Sequence, residues 1–174
     1  MYHKRLKGYA ELGYQVKFGA RDDSVSKLYD GHASMVPFEQ ELSDAAKRIV
    51  IVSPYVQKSR IGKLLPPLQA ALSRGVELVI HVKDADSFEI KQQADICGVL
   101  AMLEQIGATV IRHKELQQRY AVIDESVVWY GSVDLLAFGR KDTDVLRFEN
   151  ADIAGELMEL LQESGRDQLM ITEV

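Results

Sequence analysis

Residues 117–134 bring together the polar and charged side chains of Gln117, Arg119, Asp124, Ser132 and Asp134, with Gly131-Ser132 making a small polar turn. Arg119 offers a planar fork of donors that suits phosphate oxygens. Gln117 is a carboxamide, which at neutral pH is neither a nucleophile nor a base. Asp134 sets a carboxylate where it disfavours a nearby phosphate dianion. The group reads as an anion site that lacks a nucleophile. Lys58 and Arg60 follow Pro54-Tyr55 at the C-terminal end of a strand-like run, where α/β sheets place their ligands. They are the expected complement to Arg119, against the plainer reading of solvated loop charges.

Other reactive residue types carry less. His113, between Arg112 and Lys114, precedes Gln117 by four positions, about 13 Å of extended chain, and is expected in a loop or at a strand end. His81 sits in an apolar run and reads as a core histidine, whereas His32, after Asp30-Gly31, reads as a surface turn. No pair of histidines has metal-ligand spacing, and no cofactor is expected. Cys97 lies in the apolar stretch Ile96–Leu103 and is expected to pack. Trp129 and Tyr130 are candidate stacking platforms for bases, but their strand positions beside Val127-Val128 favour the core. Arg140-Lys141 makes a small solvated turn.

Alternating elements must position these groups. Arg48–Ser53, Val76–Val82 and Thr109–Arg112 are short β-branched runs, as expected of largely buried strands. Phe38–Ala46, Leu64–Leu72 and Ile90–Ile106 carry apolar residues at helical spacing. Gly75 and Gly107 fit helix ends, and Pro66-Pro67 is expected in the first turn of its helix. Tyr120–Asp124 and Val127–Tyr130, joined by Glu125-Ser126, read as a hairpin. A strand over 144–148 and an amphipathic helix over 151–162 follow, with Asn150 as N-cap and Asp152 in the first turn. This order predicts an α/β domain, a mixed sheet between two layers of helices.

The spacing across 117–134 resembles the phospholipase D superfamily signature H-x-K-x4-D-x6-G-S-x-N. Asp124, Gly131 and Ser132 match it. Gln117 stands at the position of the nucleophilic His, Arg119 replaces the Lys, and Asp134 replaces the Asn. Residues 129–136 and the phrase Ile-Val-Ser53-Pro54-Tyr55 resemble the phospholipase D-like domains appended to bacterial helicases and nucleases. The resemblance implies a phospholipase D-like α-β-α sandwich over residues 25–165, preceded by an arm or linker (1–24) and followed by a tail (166–174). In this superfamily the His forms a covalent phospho-His and a second motif supplies the leaving-group acid. With Gln117, that route is closed. The resemblance also implies a homodimer, which would bring the two motifs face to face. It makes Arg119 and Ser132 phosphate-binding positions.

At 174 residues the chain fits one domain with an unaided core. No apolar run approaches the 18 or so residues of a membrane span, and Met1–Lys7 has no apolar segment behind it, so neither a membrane association nor a signal peptide is expected. A single cysteine suits a reducing cytoplasm. The net charge of −5 is uneven: residues 121–174 hold 4 Lys/Arg against 12 Asp/Glu, and residues 1–60 hold 10 against 7. A dedicated nucleic-acid binder usually has a basic surplus. Three functions stay open. The first is a catalytically impaired module contacting a phosphate backbone or partner domain, within or beside a helicase or nuclease system. The second is a homodimerising assembly module. The third is a phosphodiesterase or nuclease with an unconventional site at a dimer interface.

Overall fold

The computed structural model describes residues 26–138 and 142–170, with side chains as far as Gln162. Strands β1 (Lys27–Asp30), β2 (Arg48–Val52), β3 (Glu77–Lys83), β4 (Thr109–His113), β5 (Tyr120–Ile123), β6 (Val127–Gly131) and β7 (Asp144–Glu149) alternate with four helices among these residues. The helices are α1 (Met35–Asp44), α2 (Lys58–Ser73), α3 (Ile90–Gln105) and α4 (Ala151–Met170). The sheet order is β1-β7-β6-β5-β2-β3-β4. β2, β3 and β4 run parallel, whereas β5, β6, β7 and β1 pair antiparallel. The expected mixed α/β sheet is therefore present, in one domain.

The pattern of β2 shows why the sheet is covered on both faces. Its run Ile49-Val50-Ile51-Val52 is buried throughout, and successive side chains point to opposite faces. Ile49 and Ile51 join a core with Phe38 and Leu42 of α1, Ile61, Leu64 and Leu68 of α2, and Leu100 and Leu103 of α3. Val50 and Val52 join the second core, with Val122, Val128 and the α4 residues Ala154 and Leu161. Burying a side chain of this size stabilises by about 1.5–3 kcal/mol. A charge on either face of β2 would break one layer.

Two boundaries differ from the sequence reading. Helix α2 starts at Lys58, so Pro66 and Pro67 lie inside it and not in its first turn. The carbonyls of Gly62 and Lys63, which lose their i+4 donors to these prolines, belong to exposed residues and stay hydrated. At the other end of the chain, the expected Asn150 cap is present, its side-chain oxygen accepting from Ile153 N at 3.0 Å. The expected arm (1–24) lies outside the described residues, as do Arg140-Lys141 and the end of the expected tail (171–174). Residues 166–170 of that tail continue α4.

Candidate functional site

The C-terminal ends of the parallel strands β2 and β3, the start of β5 and the end of β6 share one edge of the sheet. Val52 pairs with both His81 and Tyr120, and Tyr120 pairs with Tyr130. The signature straddles this edge. Gln117 and Arg119 precede β5, while Gly131 ends β6 and Ser132 and Asp134 follow it. Gly131 N donates to Arg119 O at 3.3 Å, which closes the hairpin and fixes where the arginine leaves the sheet.

Arg119 is held from two sides. Its Nε donates to Asp134 Oδ2 at 3.0 Å and its Nη1 to the Gln117 carbonyl at 3.0 Å. Asp134 Oδ1 also accepts from Tyr55 N at 3.4 Å. The two replacements in the signature thus answer one another: the carboxylate at 134 pairs with the arginine at 119. Gln117 itself is exposed. The pair is only partly exposed, with side-chain exposures of 25% and 19%.

Gly131 and Ser132 act on the backbone of β7. A Cβ at Gly131 would lie 2.7 Å from Val145 Cα and closer still to Asp144 O, so no larger residue fits the approach of the two strands. Ser132 N donates to Asp144 O at 2.9 Å, and its Oγ accepts from Asp144 N at 3.0 Å. This hydroxyl is engaged with β7.

Asp124 sits at the far end of β5. That strand has four residues, about 13 Å of extended chain, between it and Arg119. Its carboxylate accepts from the backbone N–H of Ala46, Lys47 and Arg48 at 2.8, 2.7 and 3.1 Å. Burial pushes its pKa up, but these three donors outweigh burial and hold it below the ordinary value. Asp124 and Glu125 have φ of 50° and 63°, left-handed positions in the three-residue turn 124–126 that joins β5 to β6. The matched aspartate of the signature is therefore a clasp between the β5–β6 turn and the start of β2, at the end of β5 away from Arg119.

Arg60 requires a correction. It was expected beside Arg119, exposed at the strand end, yet its side chain is fully buried. Because α2 begins two residues earlier, position 60 turns inward. Its guanidinium pairs with Glu39 of α1, and Nε donates to Leu135 O at 3.4 Å and Nη2 to Met35 O at 3.5 Å. Desolvation lowers its pKa, and Glu39 works against that. Arg60 holds the 132–138 loop and contacts no solvent anion. Ser53 and Gln57 hold the same loop: Leu136 N donates to Ser53 Oγ at 3.3 Å, and Phe138 N to Gln57 Oε1 at 3.3 Å. Sequence reasoning missed this clip, although Ser53 within an apolar strand end was a signal for it. Lys58 is exposed at the start of α2, as expected.

The aromatic and histidine readings divide. Trp129 is buried, with Tyr29 stacked on it at 5.4 Å and Phe38 edge-on at 5.3 Å. Tyr130, also expected in the core, is half exposed; it faces the sheet side that, among the described residues, α4 covers. His113, expected in a loop or at a strand end, ends β4 and is buried against His81, with Nδ1 of 81 and Nε2 of 113 at 2.8 Å. The two rings face each other, stacked at 5.1 Å. His32 is exposed. Cys97 is exposed on α3 and not packed as expected. Among the described residues, no group of three or more His, Cys, Asp or Glu is placed to hold a metal ion.

No family model and no curated relative matches the sequence. Solved structures do match. NucT from Helicobacter pylori is similar with a TM-score of 0.63 at 18% identity, over 80% of this chain and 94% of its own. Nuc from Salmonella typhimurium, a phospholipase D family member, gives 0.63 at 13% identity, over 80% and 91%. The archaeal chromatin protein TrmBL2, whose structure is described as showing a novel mode of DNA binding, gives 0.57 at 11% identity, over 95% and 59%. The fold of this chain is the phospholipase D-like fold.

Proposed function

We propose that this chain is a phospholipase D-like module that holds a phosphate backbone without cleaving it, as part of or beside a DNA-processing assembly. The observation that carries this reading is a carboxamide, Gln117, at the nucleophile position, while Arg119 and Asp134 meet at the sheet edge. Attack at phosphorus needs an imidazole or an equivalent base-activated group, and residue 117 offers only a carboxamide. What remains is a guanidinium tethered at Nε and Nη1, with Lys58 exposed nearby in the fold. The DNA-binding description of one similar structure supports nucleic acid as the anion.

Such a site binds weakly and without sequence preference, since phosphate contacts position a ligand but do not read bases. About two phosphate contacts per chain imply roughly a tenfold loss of affinity between about 50 and 200 mM salt. The test is Arg119→Ala in a salt titration of DNA binding. The variant is expected to bind more weakly, with a flatter salt slope and an unchanged melting temperature to within a few degrees. Binding that ignores the substitution would remove the phosphate reading.

A specific observation also favours self-association. Leu28, Leu146 and Tyr130 stand opposite one another across β1, β7 and β6, so they share a face, and they are 52%, 39% and 50% exposed. This apolar row borders the signature edge. A second copy packed there would cover it and bring two Arg119 residues toward a two-fold axis.

A further inference from the structure

Beside the signature edge, between the β2–α2 loop and α3, lies a cavity of about 590 Å³. That size is typical of small-molecule sites, roughly 300–1,000 Å³. Its floor is Ile96 and Val99, and its wall includes Tyr55 and Phe88, whose rings meet edge to face at 5.6 Å. Lys58 and Gln92 stand on the lining as well. A second ammonium, Lys83 Nζ, lies over the Tyr55 ring at 5.4 Å. The cavity adjoins the arginine: Asp134 binds Arg119 with one carboxylate oxygen and the Tyr55 amide with the other.

Charge gives the direction an anionic strand would take. On the β1–β7 side of Arg119, Asp30 and Asp144 stand opposite each other in register. On the Tyr55 side stand Lys58 and Lys83, with one carboxylate, Asp95, on the cavity lining and Asp134 already paired to Arg119. A polyanion held at Arg119 would meet two ammoniums in that direction, and two facing aspartates in the other. An apolar floor, an exposed aromatic wall and a flanking ammonium suit a flat heterocycle attached to a phosphate. Duplex DNA keeps its bases stacked inside and cannot offer one.

We propose that this cavity receives an unpaired nucleobase from a strand whose phosphate lies against Arg119, so that the module prefers single strands to duplex. The proposal rests on the phosphate-backbone reading and adds the class of strand to it. Base–aromatic stacking tolerates any sequence, and the polar groups on the lining, the amides of Gln57 and Gln92 among them, can hydrogen-bond a base edge of any type.

The test compares a short single strand, its duplex, and an abasic strand with the same phosphates, by fluorescence anisotropy at low salt. Stacking of one base predicts that the single strand binds roughly 5- to 150-fold more tightly than the abasic strand. Phe88→Ala is expected to remove that difference, and Phe88→Trp to keep it. A 2-aminopurine in the strand is expected to be quenched by the unaltered protein, which makes the test independent of how the variants fold. Equal affinity for abasic and base-bearing strands, or for duplex and single strand, overturns the base site and leaves the phosphate reading standing. Failure to bind any of the three, the abasic strand included, overturns both. A change of oligomeric state in Phe88→Ala in place of a change in strand preference assigns the cavity to a second copy and also overturns it.

Discussion

At the scale of single residues, the sequence shows which groups are present but not which of them face one another. Gln117, Arg119 and Asp134 were legible as departures from a phosphodiesterase signature, and the missing nucleophile followed from residue type alone. That the arginine and the aspartate neutralise each other was not legible, because they lie fifteen positions apart and meet only when the hairpin closes. The pair makes a sharp prediction. Asp134→Asn frees Arg119 and removes a repulsive carboxylate, so it is expected to raise affinity for a phosphate backbone several-fold. Its stability cost is expected to stay near 1 kcal/mol or below, as for other part-exposed ion pairs. Affinity by anisotropy and stability by urea unfolding check the two halves. Arg60 illustrates the opposite case. A cation at a strand's end reads as a ligand group, but one turn of helix directs it inward onto Glu39 and the loop carbonyls. Arg60→Met is expected to destabilise by about 3 kcal/mol, because it leaves Glu39 and two carbonyls without their donor.

Elements were more legible than contacts. The β-branched runs and the helical spacing located the described strands after β1, and the hairpin followed from its turn. The start of α2 was missed because Lys58-Ser-Arg60 carries no apolar periodicity until Ile61, and the paired prolines suggested a first turn. The signature-matching Asp124 is a backbone clasp at the far end of β5, so Asp124→Ala is expected to cost about 2–4 kcal/mol from three lost charge-assisted bonds and a strained turn, without altering DNA binding. Denaturant unfolding and anisotropy separate those effects.

The β3–β4 edge carries a pH dependence. His81, 7% exposed, has its pKa lowered to about 4, first by burial and then by repulsion from His113 and Arg48. The unfolded chain holds it near 6.5. Between these values the unfolded state binds more protons, so stability falls as the pH drops from about 6.5 to 4. The full gap is worth about 3 kcal/mol. Melting followed from pH 7 to 4 is expected to show this loss, and His81→Gln to flatten it. An unchanged slope would contradict the buried pair.

At the scale of the whole molecule, the sheet order, the two helix layers and the similarity to NucT and Nuc establish the phospholipase D-like fold. No helix among the described residues is long and apolar enough to cross a membrane. The apolar row Leu28-Leu146-Tyr130 could not be read from sequence, since it depends on the register of β1 and β6 against β7. If it is the contact between two copies, Tyr130→Lys is expected to convert a dimer to a monomer in sedimentation at tens of micromolar, with little change in monomer stability because Tyr130 is half exposed. The central claim is that this fold has kept a phosphate edge and lost its chemistry. Turnover of bis(p-nitrophenyl) phosphate and of single- and double-stranded DNA, with and without divalent metal, tests it most directly. The account predicts no rate above background under conditions where the unaltered protein binds DNA, since loss of a covalent nucleophile costs several orders of magnitude. Cleavage that disappears on substituting a residue between Gln117 and Asp134 would contradict it.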